Sequence, residues 1–327
     1  MKIVTFEEAS PRPRRRSGTR DHGESEGRRT LSEVAPDDLR FHLGRGIHRE
    51  GKAPFRAPRH HHAFQQIRWC DSGRKNFAPG QYLEAGDVAY FPKGAYYGPE
   101  IKHGAYTGWS TQFGFGDQHQ LGPDWQAFRH QARANLRARG VFENGRYTPI
   151  DPATGEHGAE IDGVEAVYAE TVRLKSQGHE RYVIPAEGYH APIVMHTAAF
   201  EYYPTAPGVE IKRLGCFYDH PGDNGDTRIA MVRLNQGGAF TLSAERNQIG
   251  MTTSPGLQAN DSDRAYPMHT SYYSPIGETT ELRGTNNTEL FVVELPRQYQ
   301  WDCGNNGVSG TAREQGLSLT GPHGPQK

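Results

Sequence analysis

Three cysteines in 327 residues, Cys70, Cys216 and Cys303, are too few for a disulfide framework, and no two of them stand in Cys-x-x-Cys spacing. The cytoplasm, a reducing compartment, suits such a chain. Long apolar runs are also missing: nothing approaches the roughly 18 residues of a transmembrane helix, and the arginine-rich start lacks the apolar centre of a secretory signal. Charge of one sign is missing too. Lysine and arginine total 37 against 38 aspartates and glutamates, a formal net charge of -1. A chain so balanced has no global attraction to nucleic acid or to an anionic membrane, which leaves a small molecule as the expected partner.

What the chain does have is punctuation, with 39 glycines and 22 prolines. From about residue 40 to 116, short apolar or aromatic runs such as Val88-Ala89-Tyr90-Phe91 alternate with turns at Ser72-Gly73, Pro79-Gly80 and Lys93-Gly94. That is β text. Between 117 and 184 the pattern changes. Trp125, Phe128, Ala132 and Leu136 form one stripe of a helix that Asp124 caps, and Val164, Val167, Tyr168, Thr171 and Val172 suggest a second helix. Strand-like runs resume from 185 to 297, at Ala191 to Met195, Glu210 to Leu214, Ile229 to Leu234 and Leu290 to Leu295.

The two ends differ from this. Residues 1–39 carry Pro11-Arg12-Pro13-Arg14-Arg15-Arg16 and little to bury, so they read as a flexible basic arm, either solvated or draped over a partner subunit. Residues 298–327 read as a tail.

The most informative segment is His60-His61-His62-Ala63-Phe64-Gln65-Gln66, followed by Gly73. On an extended strand His60 and His62 share a face, while His61 points the other way. Further on, Gly86 is followed by Pro92-Lys93-Gly94 and then Tyr97. These two stretches resemble the paired signatures of the cupin superfamily, with Gln66 at the position of the acid and Tyr97 at that of the second-signature histidine. The resemblance implies a mainly β protein of two antiparallel jelly-roll barrels, a bicupin, with the helical segment inserted between them. It also implies a divalent metal in the first barrel, with iron favoured and Mn, Ni or Zn as the other candidates, carried by His60 and His62.

Gln66 offers such an ion an amide oxygen, and Tyr97 could supply a phenolate and handle protons. The alternative is a polar pocket lining in which Gln66 and Tyr97 hydrogen-bond each other or a ligand. Strand parity puts Arg68 on the face of Gln66, where it either anchors a carboxylate or enolate substrate or enters an internal salt bridge. Trp69, Tyr90, Phe91, Tyr96, Trp109 and Phe113 would supply aromatic walls or core. His48 and His103 are reserve ligands. Cys70 reads as a small buried hydrophobe.

In the second barrel the signature positions fall on Ala244, Arg246 and Thr280, with Glu245 and His269 as the nearby donors. No metal is expected there. The loop from His220 to Asp226 suits calcium or an ordinary turn. The expected function is a metal-dependent cupin enzyme of dioxygenase type, acting on a small oxygenated or aromatic molecule. The rivals are a metal-free cupin that binds a small ligand and a cupin lyase or isomerase, with a homodimer as the candidate assembly.

Overall fold

The computed structural model describes residues 1–11, 26–51, 55–57, 59–102, 104–115, 123–176, 189–218, 226–260 and 262–297. The arginine-rich stretch 12–25, His103, residues 219–225 with most of the segment read as a calcium loop or turn, and residues 298–327, read as a tail, lie outside them. The protein is mainly β, and among the described residues the strand pairs are antiparallel.

Two large sheets carry the fold, one of eight strands and one of seven. In the first, the long strand Gln65–Ala78 lies between Val88–Phe91 and Tyr106–Phe115, and beyond the latter comes Leu39–His48. In the second, Thr288–Glu294 lies between Gln248–Thr252 and Asp226–Leu234.

Alternation of side chains gives each sheet two faces with different work. On one face of the first sheet, Phe41, Leu43, Ile67, Trp69, Val88, Tyr90, Trp109 and Phe113 meet Phe217, Ile229, Met231, Met251, Phe291 and Val293 of the second sheet in a single core. Trp69 stacks on Phe291 and Tyr90 on Phe217 across this seam. The other face of each sheet turns into its own barrel.

The second barrel is filled with apolar side chains, among them Val232, Leu234, Leu242, Leu257, Leu282 and Leu290, all fully buried. The first barrel is apolar only at one end, around Cys70, Phe77, Leu83, Ala89 and Phe91. Its remaining interior is polar.

The ends and edges differ from the sequence expectation. Lys2–Val4 is a strand of the second sheet, paired with Ser271–Ser274, and Glu26–Val34 is a strand of the first, paired with Leu39–His48. Neither stretch is free arm: Leu31 and Ala35 are buried in the seam, and Thr30 accepts a hydrogen bond from Ser271 at 2.8 Å. Ile193–Met195, read as the start of the second barrel, pairs with Val88–Phe91 and closes the edge of the first sheet. Local patterning marks a strand but does not name its partner, and two of these three strands, Lys2–Val4 and Ile193–Met195, cross over to the sheet of the other half.

The insert contains helix α1 (Pro123–Arg137), helix α2 (Gly163–Ser176) and a small antiparallel sheet, with Leu136, Tyr147, Ala166 and Val167 as its own core. The hairpin Gly140–Glu143 to Arg146–Pro149 turns on Asn144-Gly145, both with positive φ, as a type I′ turn requires. No helix among the described residues is long and apolar enough to cross a membrane.

Candidate functional site

The polar interior of the first barrel is built by three neighbouring strands and the loop before them. Gln66 and Arg68 lie two apart on Gln65–Ala78 and so point the same way, into the barrel. The register sets Gln112 of Tyr106–Phe115 opposite Gln66 and also opposite His42 of Leu39–His48.

His60 and Tyr97 are joined by an isolated antiparallel bridge, with N–H to O=C bonds of 2.9 and 3.0 Å in the two directions. A further backbone bond, from Gly94 N–H to the His62 carbonyl at 2.9 Å, ties the histidine segment to the Pro92-Lys93-Gly94 turn. The two signatures are thus brought together by backbone pairing.

His60, His62, Gln66, Arg68 and Tyr97 are all buried. The ring centroids of His60 and His62 are 4.9 Å apart, and that of Tyr97 is 4.3 Å from His60. His61 turns away, stacks on Tyr96 at 4.1 Å and has its Nδ1 3.2 Å from the Gly94 carbonyl. Helix α2 closes over this point. The Tyr168 hydroxyl oxygen accepts the Ala63 N–H at 3.1 Å, and its ring meets His62 edge-on at 5.9 Å.

The hydrogen bonds converge on Tyr97 and Gln66. The Tyr97 oxygen accepts from Gln66 Nε2 at 2.8 Å and from Arg68 Nη2 at 3.0 Å. Gln66 Oε1 accepts from Gln112 Nε2 at 3.1 Å and more weakly from Arg68 Nη2 at 3.4 Å. The other arm of the guanidinium, Nη1, donates to Glu100, a carboxylate only 2% exposed. The group also lies over the faces of Phe91 and Tyr97. Burial alone would lower the pKa of Arg68, but the charges of Glu100 and Tyr97 and the hydrogen bond to Glu100 together more than offset it and raise the value. Burial, and then the charge of Glu100, push the phenol of nearby Tyr106 up.

Of the two alternatives for Arg68, the internal salt bridge is the one present. Glu100 and Gln112 were not singled out from the sequence. A buried arginine calls for an acid, and Glu100, three residues past Tyr97, is the first carboxylate after the second signature. Gln112 becomes visible only once the strand register is known. The aromatic residues divide by parity: Trp69, Tyr90, Trp109 and Phe113 belong to the seam, Phe91 faces into the barrel, and Tyr96 stacks outside with Arg59 above it. Cys70 is fully buried, and burial pushes its thiol up to about 11.

As arranged, these side chains do not fit a divalent metal ion. The two imidazoles converge, but the amide oxygen of Gln66 and the phenol oxygen of Tyr97 are both occupied by N–H donors, one of them cationic. The carboxylate that could offset the charge of a metal is held by Arg68. Among the described residues no group of three or more His, Cys, Asp or Glu side chains is placed to hold a metal ion. What the cluster can do is present imidazole and phenol groups to a ligand that exchanges hydrogen bonds with them.

Among the described residues the second barrel offers no comparable group. Thr280 shares a hydrogen bond with Ser274, Arg246 lies 3.7 Å from Glu294, and Glu245 is exposed. His269 faces Asp71 of the first sheet, 3.5 Å away.

No family model matches the chain, and no curated protein matches it. Several solved structures are similar in fold. GK1651 from Geobacillus kaustophilus is 8% identical with a TM-score of 0.47, the match covering 90% of this chain and 95% of that one. A candidate dioxygenase from Nostoc punctiforme is 10% identical at 0.49, covering 91% and 86%. A formate complex of oxalate decarboxylase from Lactobacillus farciminis is 13% identical at 0.48, covering 90% and 86%. At such identities and scores nothing about activity follows. The chain's own antiparallel sheets and its two paired signatures give it a cupin-type fold of two barrels.

Proposed function

We propose that the first barrel is a cupin-type small-molecule site, in which His60, His62 and Tyr97 receive a small oxygenated or aromatic organic compound. One contrast carries this reading: the second barrel is filled mainly with apolar side chains, whereas the first buries a converging set of imidazole, phenol and amide groups. A purely structural barrel gains nothing from such a set, because every buried polar group must be satisfied at a cost in apolar packing. The compound is held by hydrogen bonds and ring stacking, with no part for nucleic acid or membrane, and the cytoplasm is its proposed setting.

The test is a binding screen by thermal shift and ligand-observed NMR. The probes are catechol, a small 2-hydroxy acid and a small 2-keto acid, against the parent and H60A/H62A. Binding by the parent that falls at least about tenfold in the variant supports the reading. Binding that the variant leaves unchanged, or no binding across the set, sinks it.

The convergence of His60 and His62 at 4.9 Å also favours a second reading, a metal-dependent oxygenase holding iron or a similar ion. Elemental analysis of protein purified without a histidine tag separates the two. One equivalent of transition metal, lost in H60A/H62A, selects the second.

A further inference from the structure

We infer that Arg68 is the resident cation of the first barrel, occupying with its guanidinium the ligand positions a divalent metal would require. The inference goes beyond the small-molecule reading and does not depend on it, since a ligand can bind whether or not a metal is present.

The argument is one of coincidence of partners. Within this barrel the two signatures place Gln66 and Tyr97 beside the paired histidines, where third and fourth donors to a metal would stand. One nitrogen of Arg68 reaches both: Nη2 is 3.0 Å from the Tyr97 oxygen and 3.4 Å from Gln66 Oε1. Its other nitrogen holds Glu100, the buried carboxylate that would otherwise be available to neutralise an incoming ion. A single side chain therefore supplies a positive charge, occupies two oxygen donors and removes the counter-anion.

A divalent ion entering beside it would meet a fixed positive charge in a medium of low dielectric and oxygens already committed to N–H donors. A glutamine at the acid position is consistent with this arrangement, because an amide accepts from guanidinium without adding a second negative charge to the ion pair. His60 and His62 are then buried polar groups of the barrel interior and not metal ligands.

The inference separates two explanations that a missing acid alone would confound. If the lack of a carboxylate is what bars a metal, Gln66→Glu by itself should restore binding. If Arg68 bars it, the carboxylate introduced by Q66E is captured by the guanidinium, and metal binding appears only when Arg68 is removed as well.

The experiment titrates Co²⁺ and Mn²⁺ into tag-free parent, Q66E and Q66E/R68M, with calorimetry for stoichiometry and the visible absorption of Co²⁺ as a coordination signature. Expected are no saturable site in the parent or in Q66E, and one equivalent bound by Q66E/R68M, at least about tenfold more tightly than any residual binding by Q66E. Should Q66E/R68M fail to fold, Q66E/R68Q/E100Q removes the ion pair as a unit and gives the same reading. One equivalent in the parent that H60A/H62A abolishes overturns the inference. So does Q66E binding as tightly as the variants lacking Arg68, or the absence of any site once Arg68 is gone.

Discussion

Arg68 and Glu100 form a buried ion pair in the first barrel that is costly to break. Both side chains are buried, so removing one partner leaves the other as an uncompensated charge away from water. Arg68→Met is expected to lower stability by about 3–5 kcal/mol, and R68M/E100L to recover part of that loss. Urea unfolding of the single and double variants checks this, and a double variant no more stable than R68M would show that the pair is not coupled. The cysteines make a second residue-scale case. Cys70 is fully buried with its thiol pushed up to about 11, while Cys216 is exposed. Brief iodoacetamide treatment of the native protein at about pH 8, followed by peptide mass spectrometry, should label Cys216 and leave Cys70 unmodified until urea is added. The inward turn of His60 and His62 was legible from alternation and the two signatures. The partner of Arg68 was not, because the strand Glu100–Lys102 that carries Glu100 is brought against it by folding and not by spacing.

At the scale of elements, the insert matters through one residue of α2. Tyr168 was read as part of a helical stripe, and the helix is there, but the tyrosine also reaches the histidine segment through the Ala63 N–H. Tyr168→Phe removes that bond and keeps the ring. The expected outcome is a loss of about 1 kcal/mol, with faster amide exchange confined to the segment from His60 to Phe64. Exchange in that segment identical to the parent would mean that α2 does not hold it. From residue 40 on, strand identity was readable from turns and apolar runs, whereas the strands Lys2–Val4 and Glu26–Val34 fell in the stretch read as an arm, and strand partnership was not readable at all. Ile193–Met195 and Lys2–Val4 are three residues each, and nothing local says that each belongs to the sheet of the other barrel.

The whole molecule is held by the seam between the two sheets, and the seam has a charged end. Asp71 accepts from Arg45 at 2.5 Å and Thr107 at 2.9 Å, and lies 3.5 Å from His269 of the other half. Burial alone would raise its carboxyl pKa, but the bonds from His269, Arg45 and Thr107 more than offset this and hold it well below the ordinary range. A carboxyl whose folded pKa is depressed contributes stability above its unfolded value of about 3.9 and loses that contribution as the pH falls below it. The urea midpoint of the parent should therefore fall more steeply than that of Asp71→Asn between about pH 5 and about pH 3. Parallel curves would remove Asp71 from the account.

The strand Lys2–Val4 also sets an order in time. It pairs with Ser271–Ser274, and the partner is made only when most of the chain has left the ribosome. At about 5–20 residues per second that wait is on the order of tens of seconds. During it the first barrel can gather its strands up to Tyr106–Phe115, yet it lacks Ile193–Met195 and has no second sheet to cover the tryptophans of its seam face. A strand made early is thus among the last to be placed, so the chain passes through a long interval in which an incomplete first half still shows its most adhesive side.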